Sequence, residues 1–273
     1  MRVATSVCKD KKGFIWASTK LGILRLAGDD YRIYQLPYEN TDVITVKLVY
    51  ANSDLLAFSN NGQLFRYNAI KDQFELLVNM GKVINNKYLV VANVLIDNTN
   101  CYWIATSAGL LRYQNGHLMK TQDSEEVYSL AWYDSNHLFV AKSKGILLFD
   151  KQTMKGKWLY KNDPKSDLHV CKFLYDNKAK RLWIGTSWNG LFYFDLNRHA
   201  LCPVKINGFP KQPILAIEKN SDSTILAGID GQGIWELDKQ GTKVLNVYKE
   251  DVNDPSSLPG NGVYDIFNDQ NKR

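Results

Sequence analysis

The chain has 273 residues, of which 45% are hydrophobic and 12% aromatic, and a formal net charge of +6. This composition excludes a disordered chain, and the length fits one large domain, because all-β chains of this size commonly stay undivided. Lys and Arg are scattered through the whole chain rather than blocked together, which argues against a nucleic-acid surface and for a solvated basic face. A positive field also raises the local concentration of anions, which suits acidic sugars.

Cys8, Cys101, Cys171 and Cys202 are far apart and form no Cys-x-x-Cys pair, so neither a zinc site nor a disulfide framework is signalled. The longest apolar runs, such as Tyr88 to Val94, are too short to span a membrane. Met1 and Arg2 lead into a strand-like segment with no secretory h-region, so an exported form would already have lost its signal peptide.

In chain order, the predicted strands fall into groups of four, labelled A to D, found from alternation bounded by turn residues. Blade one (about 1–37) has strand A at Val3–Cys8, a strand B carrying Trp16, the turn glycine Gly22, strand C at Ile23–Leu26 and a looser strand D at Tyr31–Leu36. Blade two (38–80) repeats this with Val43–Val49, Leu56, Gly62 and Gln63–Tyr67. Blade three (81–122) has Trp103, Gly109 and Leu110–Tyr113, and blade four (123–162) has Val127–Trp132, Phe139, Gly145 and Ile146–Phe149. Blade five (163–208) has His169–Leu174, Trp183, Gly190 and Leu191–Phe194. Blade six (209–252) has Ile214–Glu218, Leu226, Gly233, Ile234–Leu237 and Thr242–Tyr248. Residues 253–273 then begin another strand A at Val263–Phe267 and stop.

The turn glycines are separated by 40, 47, 36, 45 and 43 residues, the period of a four-stranded propeller blade. The expectation is an all-β chain: one β-propeller domain over 1–273 with six complete blades and the first strand of a seventh. Because an open last blade exposes unpaired edges, the chain reads as a fragment of a seven-bladed ring. The glycine supplies positive φ in a tight connection, and the Trp, Phe or Leu of strand B fills the space between blades. No segment holds helical apolar spacing for three turns, which excludes an α-solenoid.

One pattern runs from Val3 and Asp10 through Gly13, Trp16 and Thr19 to Gly22. With the linker Asn-Asp-Pro-x-Ser at Asn162–Ser166 and again at Asn253–Ser257, it resembles the two-component regulator propeller repeat. The resemblance covers essentially the whole chain, strongly in blades one, three and five. Blades two, four and six depart from it, with Leu56, Phe139 and Leu226 in place of the tryptophan. It implies the periplasmic sensor region of a Bacteroides-type hybrid two-component histidine kinase, in which propellers precede a β-sandwich, a membrane helix and kinase, receiver and DNA-binding parts. Such receptors respond to oligosaccharides and switch on genes for glycan use. By that resemblance the partners are an oligosaccharide, neighbouring sensor domains and a second copy in a parent homodimer. The membrane is reached only through segments this chain lacks.

The loops joining B to C and D to the next A are expected on one face, and binding residues concentrate in such loops. The B–C loops carry Lys20, Asn60, Asn61, Ser107, Lys144, Trp188, Asn189, Asp230 and Gln232. Trp188 is the leading candidate for stacking on a sugar ring, with Asn189, Asp230 and Gln232 as its corner and Lys20 or Lys144 for acidic groups. The alternative is a non-catalytic scaffold or dimerisation propeller, with the ligand sensed elsewhere in the parent. His117, His137, His169 and His199 fall at unrelated repeat positions, and Asp10, Asp97 and Asp176 sit in A–B turns, where carboxylates bond local amides. No catalytic group, metal or cofactor is therefore expected.

Overall fold

Each repeat forms one four-stranded antiparallel sheet in the computed structural model, which describes residues 3–122, 124–163 and 168–269. The chain divides into two units, Met1–Val127 and Tyr128–Arg273. The sheets of the first are β1–β4 (Ala4–Lys9, Ile15–Thr19, Gly22–Ala27, Asp30–Tyr34), β5–β8 (Val46–Ala51, Asp54–Ser59, Gln63–Asn68, Gln73–Asn79) and β9–β12 (Val91–Ile96, Tyr102–Thr106, Gly109–Gln114, His117–Lys120). Those of the second are β13–β16 (Val127–Trp132, His137–Lys142, Gly145–Asp150, Lys155–Lys161), β17–β20 (Val170–Asp176, Arg181–Thr186, Leu191–Asp195, Ala200–Pro203) and β21–β24 (Ile214–Lys219, Thr224–Ile229, Gly233–Asp238, Val244–Tyr248). Strand order in every sheet follows the chain, A to D.

The core lies between neighbouring sheets. In the first unit, Trp16 packs its ring 4.8 Å from Tyr67 and 6.1 Å from Phe74 of the next sheet. Leu56 likewise joins Val94, Tyr102 and Ile104 of the sheet that follows it. In the second unit, Phe139 lies 5.0 Å from Tyr175, and Trp183 is buried with Ile217, Ile225 and Leu237. A middle strand with a sheet on both faces loses its polar alternation. This is why β6 (Asp54–Ser59), flanked by the sheets of blades one and three, is buried at every residue, where alternation was expected.

The weakly matching repeats keep the register. Trp16, Leu56, Trp103, Phe139, Trp183 and Leu226 stand opposite Arg25, Arg66, Arg112, Leu148, Tyr193 and Glu236 on strand C. The glycine alignment needs one correction, in blade two. Thr19, Thr106 and Thr186 each donate a hydroxyl to the carbonyl of Gly22, Gly109 or Gly190, but Ser59 donates to Gln63, so Gln63 holds that place and Gly62 lies one residue earlier. The glycine requirement is also steric: a Cβ on Gly145 or Gly233 would lie 2.2 Å from the Tyr160 carbonyl oxygen or 2.1 Å from that of Tyr248, both on strand D.

One expectation does not hold. Residues 262–269, which include the expected strand Val263–Phe267, form no ladder. Every other strand A pairs with the strand B of its own sheet, and among the described residues no strand pairs with this segment. It is held instead by Gly233 N–H donating to Asn261 O and by Asn268 Nδ2 donating to the carbonyls of Lys219 and Asn220. Among the described residues there is one helical turn, α1 (Met80–Val83), capped by Asn79, whose side chain accepts from Lys82 N. Of the two linkers, Asn253–Ser257 forms a turn in which Ser257 Oγ accepts from Asp251 N and donates to Asp251 O. Residues 164–166 of the other linker lie outside the described residues.

Candidate ligand-binding loops

The loop that enters a sheet is fastened to that sheet's own B–C turn. Ser107 N–H donates to Val90 O, Ser187 N–H to His169 O, and Asp230 N–H to Pro213 O. The two loop sets therefore meet at one end of these sheets, as the strand directions require.

In the first unit, much of the polar inventory of these loops is committed to the fold. Asn60 Oδ1 accepts from the amides of Ile44 and Thr45. Asn61 Oδ1 accepts from Ser59 Oγ and Gln63 Nε2, and its Nδ2 donates to Asp42 O. Gln63 completes the clasp by accepting from Glu39 N and Asn40 N. Asn60 and Asn61 thus pin the loop spanning residues 39–45. Ser107 Oγ accepts from Val90 N. Lys20 is exposed beside Leu21. The same loops expose Tyr88, with Lys87 Nζ 4.9 Å from its ring centre. The sequence reading passed over that residue because it sits in an apolar run.

In the second unit, Trp188 is 63% exposed in the B–C turn of blade five. Its ring lies 5.7 Å from that of His169, which stands 4.9 Å from Tyr128 on β13. The three rings form a shelf whose outer member is the tryptophan. His169 reaches it from a left-handed backbone conformation, φ 40°, unusual for a residue with a side chain and held by the bond from Ser187 N–H. Cys171 Sγ and Ser187 Oγ, 3.0 Å apart, lie beneath the turn. Asn189 is exposed, and its backbone amide donates to Thr186 Oγ1. Sequence reasoning placed Trp188 but not its partners, because His169 stands 19 residues earlier in the same repeat, Tyr128 comes from the repeat before, and no local pattern links them.

Asp230 and Gln232 form a separate grouping. Gln232 accepts from Lys249 Nζ at 3.2 Å, its carbonyl accepts from Trp235 Nε1, and Trp235 lies against Phe209. Asp230 is exposed, with its backbone amide fastened to Pro213. Lys144 is exposed, and its carbonyl accepts from Asn162 N.

Asp10, Asp97 and Asp176 act as turn acceptors: Asp10 Oδ1 takes the amides of Lys12 and Phe14, and Asp176 those of Lys178 and Ala179. Among the described residues no three His, Cys, Asp or Glu side chains converge as a metal site. No helix there is long and apolar enough to cross a membrane.

No protein-family model matches the sequence, and no curated protein matches it. The chain is similar in structure to the extracellular domain of BT4673 from B. thetaiotaomicron. Two structures of that domain, one described as from a one component system and one as from a hybrid two component system, give TM-scores of 0.79 and 0.78 at 20% identity. They cover 98% and 97% of this chain and 36% of theirs. The extracellular domain of BT3049, described as a hybrid two component system of the same organism, gives 0.77 at 17% identity over 98% of this chain and 38% of its own. This chain therefore spans little more than a third of the length of these structures, and the likeness fixes its fold as an all-β, six-blade propeller of four-stranded antiparallel blades.

Proposed function

We propose that this chain is part of an extracytoplasmic sensor domain of a hybrid two-component system and binds an oligosaccharide on the Tyr128–His169–Trp188 shelf. The observation that carries this reading is the exposed Trp188 ring, backed by His169 and flanked by the exposed Asn189. A flat aromatic face stacks on the C–H face of a sugar ring, while a neighbouring amide reads its hydroxyls. A supporting circumstance is that the structural neighbours are extracellular domains of two-component systems. On this reading the chain senses and does not catalyse, and phosphotransfer belongs to other parts of a longer protein.

The test is titration calorimetry of the whole chain against neutral host and plant oligosaccharides. A saturable heat with one member of the panel that Trp188→Ala weakens by about tenfold or more supports the shelf. No heat with any member, or equal binding by Trp188→Ala, overturns it.

A second reading, a scaffold surface, is favoured by one observation. The outermost strand of blade six exposes Leu245, Val247 and Tyr248 at 42–47%. Exposed apolar residues on an edge strand invite a protein partner, either a neighbouring domain or a second copy. Sedimentation that stays monomeric at high concentration argues against the second copy.

A further inference from the structure

The geometry points to a second ligand site, in the first unit and at the opposite end of the strands from the loops above, that takes a carboxylate-bearing ligand of single-ring size in the cleft beside Arg25. This goes beyond the proposed function and does not depend on it.

The cleft opens between the A–B turns of blades one and two and has a volume of ≈ 300 Å³, at the small end for a ligand pocket. Phe14, Trp16 and Tyr67 form much of its apolar wall, and Lys11, Lys12 and Arg25 bring its positive charge. Its two carboxylates are already committed. Asp10 accepts from Trp16 Nε1 as well as from turn amides. Asp72 accepts from Tyr67, Tyr34, Arg25 and Arg32, and the Tyr67 hydrogen bond first of all holds its carboxyl below the usual range. The charge left for a ligand is therefore positive.

The internal repeat shows what Arg25 lacks. Arg25 and Arg66 occupy the same register on strand C, opposite Trp16 and Leu56. In blade two the Arg66 fork is filled from within the protein: Nε donates to Asp54 Oδ1 at 2.9 Å, and Nη2 donates to Oδ1 at 2.6 Å and Oδ2 at 2.8 Å. Asp54 lies two residues before Leu56. Two residues before Trp16, blade one has Phe14, whose ring stacks on the Arg25 guanidinium at 4.9 Å and can accept nothing in its plane. Nη1 of Arg25 is engaged by Tyr67 Oη at 3.2 Å and Asp72 Oδ1 at 3.3 Å. Its Nε and Nη2 meet no acceptor among the described residues, and the side chain is 24% exposed. A planar guanidinium fork suits a carboxylate, which it binds through two parallel hydrogen bonds. An external carboxylate would stand where Asp54 stands in blade two. The exposed Lys12 and Lys11, the latter bonded to Ser53 Oγ at 3.1 Å, would add charge at the rim.

The experiment titrates the whole chain with glucuronate, with glucose as the uncharged control, following binding by NMR or calorimetry. Saturable glucuronate binding, weakened by salt and absent for glucose, is expected. Phe14→Asp, which installs the blade-two arrangement, and Lys12→Ala, which leaves the wall intact, should each weaken it, the former by about tenfold or more. If Phe14→Asp fails to fold by circular dichroism, Lys12→Ala and the salt dependence decide. Trp188→Ala should leave glucuronate binding unchanged. No glucuronate binding, binding indifferent to Lys12→Ala and salt, or binding lost in Trp188→Ala overturns the site, and none of these outcomes turns on whether the shelf binds neutral oligosaccharides.

Discussion

Trp16 Nε1 donates to Asp10 Oδ2 at 2.8 Å, joining the turn that opens strand B to the largest side chain of that strand. Blade three repeats the bond between Trp103 and Asp97 at 3.2 Å, with the same six-residue spacing. In blade five the spacing from Asp176 to Trp183 is seven. The carboxylate both closes the turn and satisfies an indole N–H that enters the core. Asp10→Ala leaves the indole and two amides without their acceptor and should cost about 2–3 kcal/mol, with Asp10→Asn costing less. Urea denaturation of the two variants beside the parent measures this. A shift within error of zero for Asp10→Ala would show the bond to be incidental.

The glycines that open strand C, such as Gly145 and Gly233, should be far less replaceable than glycines of the same backbone sign with open space around them. Gly116 has φ 81° and open space around the added Cβ, so Gly116→Ala should cost about 1 kcal/mol from backbone strain alone. Gly145 has φ 137° and the Tyr160 carbonyl oxygen 2.2 Å from that Cβ, so Gly145→Ala must move strand D and should cost several times as much, or abolish folding. Thermal denaturation of the pair separates the steric contribution from the conformational one.

The parts of this fold that were legible in the sequence are those that local chemistry dictates. The positive φ needed at Gly22 and the bulky residue six places earlier at Trp16 recur, so the period could be counted. The Gly62 alignment slipped because Gln63 does the work of a turn glycine while holding residues 39–40 with its side chain, a function no spacing reveals. The expected strand at Val263–Phe267 has the right residues, but a strand is a property of a pair, and none of the described residues pairs with it. The site divided in the same way. Trp188 was recognisable as an aromatic surplus in a loop, whereas His169 meets it only in three dimensions. Asn60 and Asn61, which read as free polar loop residues, proved to be brackets.

Those brackets bear on any mutational survey of the loops. Asn60→Ala removes the acceptor for two amides and should destabilise the chain by about 1–2 kcal/mol, enough to mimic a binding defect in a thermal-shift screen. Trp188→Ala removes a ring that is mostly in solvent and should change stability by no more than about 0.5 kcal/mol. Denaturation midpoints measured beside binding isotherms will separate the two: a stability loss without a ligand effect at Asn60, and the converse at Trp188. A large stability loss in Trp188→Ala would mean that the shelf is structural.

Glu218 supplies the pH dependence. It lies on β21, and burial raises its carboxyl above the ordinary value, an effect opposed by the Lys219 amide and by Lys172 and reinforced by Asp265. Lys172 is drawn toward Asp265 at 3.6 Å, so its charge is shared. A carboxyl whose value is raised on folding favours the folded state while it is protonated. Its contribution is complete below the unfolded value of 4.5 and is lost as the pH rises through the higher folded value. At neutral pH the ionised group is therefore a cost, and Glu218→Gln should raise the denaturation midpoint there. The gain should shrink on acidification and vanish below the unfolded value, where the parent side chain is neutral as well. Denaturation curves of both proteins at pH 7 and below pH 4 check the sign. A parent more stable than Glu218→Gln at pH 7 would mean that attraction from Lys172 outweighs the burial of the carboxylate.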